Sequence, residues 1–319
     1  MKTDMRFLAE SCIESPLITI VSFDFFDTLF FRPGFQPSDL FHLLNRPAAE
    51  LLSLDDFASI RGTAEAEMAA AHGRSDTYRN FHTLEDIYRH IARSRNVDED
   101  LCLALCNLEL ELERRVLRPR VDVRRLYERA VECGKRIIVI SDTYFPESFL
   151  RRILADHDFN DIAEIYVSNA CSARKDTGDL FAYVLEKEGV SAHQLTHVGD
   201  NMHSDVEMPL AAGVVAIHYP SILEQLTRRP DWPWSRALAN RDSLEPAARL
   251  LIGLAINDWF SRNEGGGSGS EALFEDNLHL FGFVGLGPIL FHTAHEIATS
   301  HDIQSRYPAV CFASRDGYL

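Results

Sequence analysis

Val21-Ser22-Phe23-Asp24-Phe25-Phe26-Asp27-Thr28-Leu29-Phe30 is the stretch around which the chain is organised. A mostly apolar run, residues 17–23, stops at the acid Asp24; a second acid follows at Asp27, with Thr28 directly after it. A run rich in β-branched residues and largely apolar fits a central parallel strand covered on both faces. A carboxylate at its end lies at the carboxyl edge of the sheet, where open α/β sheets bind ligands.

Working outward, residues 1–16 read as a helix or arm leading into that strand, and residues 33–120 read as helical throughout. Ser38, Ser53 with Asp56, and Thr83 with Asp86 stand where helix caps are expected, and a long helix spans 98–117 with an acidic stripe at Glu109, Glu111 and Glu113. Arg61 and Glu65, four apart, are expected to form a surface ion pair. From residue 121 the pattern turns to helix–strand alternation, with strands at 137–140, 163–167, 195–198 and 214–217. Intervening helices are expected at 121–133, 146–154, 179–187 and 205–212. This alternation implies a doubly wound, Rossmann-like parallel sheet with an all-helical insert after its first strand.

The expected organisation is an α/β core from 1–32 and 121–225, a helical cap at 33–120, and a linker and helix with a Gly/Ser loop at 226–270. Residues 271–319 read as the start of a second, truncated module, helical at first and then a strand at 310–313 followed by Ser314-Arg315-Asp316-Gly317-Tyr318-Leu319.

A net charge of −16 over 319 residues repels a phosphate backbone, which argues against a nucleic-acid partner. The six cysteines include no CxxC pair and read as reduced thiols of a cytoplasmic protein, Cys102 and Cys106 sharing one helix face. The N-terminus lacks the apolar stretch of a signal peptide, and the apolar run at 278–291 is too short and too broken by glycine and proline for a membrane span.

Four strand ends carry polar groups: Asp24, Ser141, Lys175 in the loop after the third strand, and Asp200 with Asp205. In a parallel sheet these converge on one edge. That combination suits phosphoryl transfer, where a carboxylate nucleophile forms a phosphoaspartate. Asp24 is the expected nucleophile, Ser141 and Lys175 the phosphate ligands, and Asp24, Asp200 and Asp205 the ligands of a Mg²⁺ ion. Little else is needed, because this chemistry is mostly positioning and electrostatics.

At these residues the chain resembles the haloacid dehalogenase superfamily. Phe23-Asp24-Phe25-Phe26-Asp27-Thr28-Leu29 is similar to its first motif, Ile140-Ser141-Asp142 to its second, Lys175-Asp176-Thr177-Gly178 to its lysine motif, and His197-Val198-Gly199-Asp200-Asn201-Met202-His203-Ser204-Asp205 to its acidic motif. The resemblance spans 17–220 and implies that the insert is a substrate-selecting cap. The Phe-Asp-x-Phe-Asp-Thr-Leu form resembles a bacterial subgroup found alone or fused to glycosyltransferases of surface polysaccharide synthesis. That implies a sugar phosphate substrate and a glycosyltransferase partner. One position departs from the pattern: Phe26 stands where superfamily phosphatases carry a second Asp as general acid/base. Its backbone carbonyl can still bind Mg²⁺, and Asp27 is the candidate replacement acid. The expected function is a Mg²⁺-dependent phosphohydrolase acting on a small phosphomonoester. The alternatives are a metal-independent 2-haloacid dehalogenase and a weakly active or inactive binding module associated with a glycosyltransferase of polysaccharide synthesis.

Overall fold

The computed structural model describes residues 5–32, 36–72, 82–228 and 243–262, and isolated residues between 282 and 306. The chain forms two units, Met1–Ser268 and Gly269–Leu319. The Gly/Ser loop at 265–270, the strand expected at 310–313 and the segment 314–319 lie outside the described residues.

The first unit is built on five parallel strands in the order β5-β4-β1-β6-β7: β1 Ile20–Phe23, β4 Arg136–Ser141, β5 Ile162–Val167, β6 Leu195–Gly199 and β7 Val215–His218. β1 is central, with Phe23 beside Val139 of β4 and Val198 of β6. Alternate residues of a strand face opposite sides. Val21, Phe23, Ile137 and Val139 enter one core; Ile20, Ile138, Ile140 and Leu195 enter another, closed by Leu180, Phe181 and Val184. Each buried Leu, Ile or Phe contributes roughly 1.5–3 kcal/mol, so the sheet is anchored from both faces and its carboxyl edge is rigid.

In chain order the helices flanking and capping this sheet are α1 Met5–Glu14, α2 Asn45–Leu52, α3 Phe57–His72, α4 Leu84–Arg95, α5 Glu99–Val116, α6 Val121–Glu132, α7 Glu147–Asp156, α8 Ser168–Cys171, α9 Asp179–Glu188, α10 Met208–Ala211, α11 Ile222–Thr227 and α12 Pro246–Arg262. The insert after β1 holds a short 3₁₀ helix, Pro37–Leu44, and α2 to α5. The Thr83–Asp86 capping box opens α4 with reciprocal bonds of 3.2 and 2.9 Å. Asp98 caps α5. Tyr88, Ile91, Cys102 and Leu105 pack into the same core cluster as Val21 and Phe23. Burial pushes the Cys102 and Cys106 thiols up to about 11 and about 12, so both stay protonated at neutral pH.

Four expectations are corrected. The insert is not wholly helical: Arg118–Pro119 (β3) pairs antiparallel with Phe30–Phe31 (β2), a two-stranded ribbon at the point where the chain leaves and re-enters the core. Two residues per strand are too few to show a period in sequence. The helix expected at 205–212 begins earlier, as a wide turn at Met202–Glu207, because the Asn201 side chain accepts from the His203 and Ser204 amides. The Pro37–Leu44 helix opens at Gln36 rather than Ser38, with Asp39 accepting from the Gln36 amide at 3.0 Å, and Ser53 ends α2 in a left-handed conformation.

Arg61 is no surface residue. It is fully buried, paired with Glu109 at 3.0 Å and lying over the rings of Phe41 and Tyr144, while its bond to Glu65 is the outer one. Glu113 is likewise buried against Arg32 at 2.9 Å. The acidic stripe is therefore a buried Glu109–Glu113 pair of ion-pair partners, with Glu111 alone turned to the outer Arg114 and Arg115. α12 packs on the Pro37–Leu44 helix, where Arg249 meets the buried Asp39 at 3.1 Å. Among the described residues no helix is long and apolar enough to cross a membrane.

Candidate active site

Asp24 follows β1 directly, and its amide donates to the Val198 carbonyl at 2.9 Å, so the nucleophile candidate is tied to the neighbouring strand β6. β6 ends at Gly199, after which Asp200 and Asp205 turn back over the strand end. A side chain on Gly199 would put its Cβ 2.4 Å from Asp205, so only glycine leaves room for that carboxylate. Asp24, Asp200 and Asp205 bring oxygens within 4.8 Å of one another.

Lys175 enters from the loop after β5. Its Nζ lies 2.7 Å from Asp24 Oδ1 and 2.5 Å from Asp205 Oδ1. Asp142, which the sequence offers only as a loop residue beside Ser141, holds this lysine loop in place by accepting from the Lys175 amide at 2.9 Å and the Asp176 amide at 3.3 Å. Arg174, the cation next to Lys175 in the chain, is bonded to Asp176. Ser141 is buried at the end of β4. The structure thus brings Asp24, Ser141, Lys175, Asp200 and Asp205 to one edge, as the parallel topology demands.

Burial pushes the Asp24 carboxyl up to about 7 against the pull of Lys175. Burial, reinforced by Asp27, Asp24 and Asp205, takes Asp200 up to about 8. Burial also opposes charge on Asp205, but Lys175 and His197 outweigh it and hold that carboxyl below the usual range. Three clustered carboxylates share one ammonium, which leaves excess negative charge. The donor set is all oxygen, the choice of a hard divalent cation such as Mg²⁺, and the residues present fit one.

Asp27 occupies a left-handed backbone position, φ 58°. The conformation is secured from both sides: its amide donates to the Phe30 carbonyl at 2.6 Å, and its carbonyl accepts from Arg120 Nη1 at 2.7 Å. Arg120 is itself buried, bonds the Pro220 carbonyl at 3.0 Å and is held by Asp122. Burial raises the Asp27 carboxyl above its ordinary value, moderated by Arg32 and Arg120. Thr28 Oγ1 donates to Asp200 Oδ1 at 3.3 Å. Phe26 packs edge-on to Phe25, and the Arg32 guanidinium lies over its ring at 4.1 Å. Arg32 and Arg120 are invisible as site residues in sequence, since nothing in their spacing distinguishes them from surface arginines. His197 and Ser22, buried beneath Asp205, were equally unsignalled.

The family of haloacid dehalogenase-like hydrolases matches residues 18–213. No curated protein matches the chain. Among solved structures, a 2-haloacid dehalogenase from Pseudomonas syringae pv. Tomato DC3000 is 18% identical, over 73% of this chain and 99% of that one, with a TM-score of 0.46. A haloacid dehalogenase-like family hydrolase from Xanthomonas campestris is 16% identical, over 64% and 83% of the two chains, with a TM-score of 0.40. An HAD phosphatase from Thermococcus onnurineus is 20% identical, over 62% and 84%, with a TM-score of 0.41. With the matched span running from the strand that carries Asp24 to the end of the turn beyond Asp205, the chain belongs to the haloacid dehalogenase-like hydrolases.

Proposed function

We propose that the chain is a Mg²⁺-dependent phosphohydrolase that cleaves small phosphomonoesters through a phosphoaspartate on Asp24. The observation that carries this reading is the Asp24, Asp200 and Asp205 cluster within 4.8 Å, held beside a single lysine. A hydrolytic dehalogenase has no use for such a concentration of acid, whereas a phosphatase needs it to hold a cation against the phosphoryl oxygens. Bound Mg²⁺ supplies charge neutralisation between the nucleophile and the incoming phosphate.

The protein's own groups do the rest. Lys175 fixes the Asp24 rotamer and faces the phosphoryl charge, and Ser141 donates to a phosphoryl oxygen. An Asp24 oxygen bonds phosphorus as the ester oxygen departs. Asp27, whose carboxyl burial raises above its ordinary value, gives its proton to that oxygen. In the second half Asp27 takes a proton from the water that attacks phosphorus, which releases phosphate and restores the Asp24 carboxylate. Asp24, Asp200 and Asp205 would hold the cation, to which Phe26 would offer its backbone carbonyl, while its ring carries Arg32.

The test is a panel of sugar phosphates, nucleotides and p-nitrophenyl phosphate with and without millimolar Mg²⁺. Turnover that EDTA abolishes is expected. Halide release from a 2-halo acid that survives EDTA would favour the dehalogenase reading, and silence on every phosphate would favour a binding module.

Asp27→Asn separates the acid from the nucleophile. General acid help is worth at least about 10²-fold, so kcat on alkyl phosphates should fall by about that factor. p-Nitrophenyl phosphate, whose leaving group needs no proton, should still release its first equivalent of p-nitrophenol at close to the wild-type rate, while the steady-state rate that follows falls with the loss of the base. A first-turnover burst slowed as much as the alkyl phosphates would remove Asp27 from the role.

The raised carboxyls also set a pH dependence. A carboxyl whose folded value lies above its unfolded one stabilises the fold fully below the unfolded value and loses that contribution as pH rises through the folded value. For Asp24 and Asp200, raised from 3.8 to about 7 and about 8, the metal-free protein should lose stability progressively from about pH 4 to pH 8. Mg²⁺ displaces those protons. Its addition should therefore raise Tm more at pH 8 than at pH 5.5, and calorimetry at pH 7 should register proton release. A Tm increment independent of pH would place the cation elsewhere.

A further inference from the structure

A polar chain runs beneath the catalytic edge. Ser22 Oγ lies 2.8 Å from His197 Nδ1, His197 Nε2 lies 3.2 Å from Asp205 Oδ1, and Asp205 Oδ1 lies 2.5 Å from Lys175 Nζ, which reaches Asp24 at 2.7 Å. Ser22 and His197 are fully buried and sit side by side in the β1–β6 register. Their face of the sheet is otherwise Ile20, Ile138, Ile140 and Leu195, with Phe181 edge-on to the imidazole at 5.1 Å. Valine or isoleucine would fill such positions without any polar group to satisfy.

We propose that His197, oriented by Ser22, is a positioning residue that locks Asp205 so that Lys175 is aimed at the nucleophile. This rests on the phosphatase reading. Asp205 has both oxygens engaged by protein: Oδ1 accepts from Lys175 and His197, and Oδ2 accepts from the Asn201 amide at 3.0 Å. Holding the lysine is thus one task of Asp205, whatever cation the acidic cluster takes. Without His197, Oδ1 keeps only Lys175 as a donor, and the carboxylate can turn about its last bond. Lys175 Nζ, shared between Asp205 and Asp24, would then leave the nucleophile.

The hydrogen-bond pattern fixes the tautomer. Asp205 is an acceptor, so His197 Nε2 carries the hydrogen. Nδ1 then faces Ser22 Oγ at 2.8 Å, where the hydroxyl can donate to it. The Ser22 hydroxyl has the Thr196 carbonyl as its alternative, at 3.2 Å, but the ring nitrogen is closer.

The test compares His197→Leu, which removes the donor, with His197→Gln, whose amide can replace Nε2–H. Loss of a group that orients a site residue typically costs about 10–100-fold in activity. His197→Leu should lower kcat by that factor with KM within about threefold, and His197→Gln should recover most of it. Ser22→Ala should lower kcat by about threefold, as for one lost hydrogen bond. Two readouts need neither metal nor turnover. Imidazole NMR of the metal-free protein should show a hydrogen on His197 Nε2. The ¹⁵N ammonium resonance of Lys175, sharp while ion-paired, should persist in His197→Gln and vanish in His197→Leu. If wild type hydrolyses no phosphate, the phosphatase reading falls and these two spectra decide the positioning by themselves; if His197→Leu does not fold, the tautomer and Ser22→Ala decide it. An Nε2 without hydrogen, an unchanged Lys175 signal in a folded His197→Leu, kcat within twofold of wild type, or no recovery in His197→Gln would each overturn the proposal.

Discussion

Asp24→Asn should reduce kcat by at least about 10⁴-fold on every phosphate ester, the scale expected when the attacking group itself is removed. The amide is neutral and cannot form a stable phosphoryl adduct, and it offers the metal a weaker donor. Lys175 would keep Asp205 as its partner, so the loop should stay in place. Stability should move the other way from activity. The wild-type carboxylate is held in a buried place that pushes its pKa up to about 7. At pH 8 without metal, ionised Asp24 costs the fold stability, and the amide removes that cost. The variant should therefore melt no lower than wild type at pH 8, while its Mg²⁺-induced rise in Tm shrinks. Kinetics with p-nitrophenyl phosphate and a melting series with and without Mg²⁺ check both halves. Residual turnover above about 1% of wild type would remove Asp24 from the nucleophile role.

The sheet edge is legible in sequence because parallel strands buried on both faces leave unbroken apolar runs. Residues 137–140 read as a strand for that reason and 195–198 from its place in the helix–strand alternation, and the polar residue that follows each falls on the carboxyl edge by topology. Asp24, Ser141, Lys175, Asp200 and Asp205 needed no contact information to be grouped. What stays hidden is partner choice across the fold. Glu109 and Glu113 repeat at helical spacing just as a solvated face would, and only the fold shows Arg61 and Arg32 opposite them. Arg61 lies 48 positions from Glu109 and Arg120 lies 93 from Asp27, separations over which no local period speaks. The same holds for Ser22 and His197, which look like ordinary interruptions of a strand until the register of β1 against β6 sets them side by side.

The misread arginine marks where the cap is most vulnerable. Glu109 accepts from Arg61 Nε and Nη2, both at 3.0 Å, and from the Tyr88 hydroxyl at 2.5 Å. Arg61 is fully buried, and its remaining carboxylate, Glu65, lies toward solvent. Glu109→Ala would leave a guanidinium without its inner partner and a buried phenol without an acceptor. Removing one member of a buried pair costs about 3–5 kcal/mol, which for a unit of this size lowers Tm by about 10 °C. The pair itself contributes little net stability, since its attraction is offset by desolvation of both charges. Replacing the whole cluster, as Arg61→Met, Glu109→Leu and Tyr88→Phe together, should therefore bring Tm most of the way back. The two measurements separate the possible causes. A fall under about 1 kcal/mol for Glu109→Ala would mean that water reaches Arg61. A triple variant no more stable than the single one would mean that the charges themselves, not their desolvation, hold the cap together.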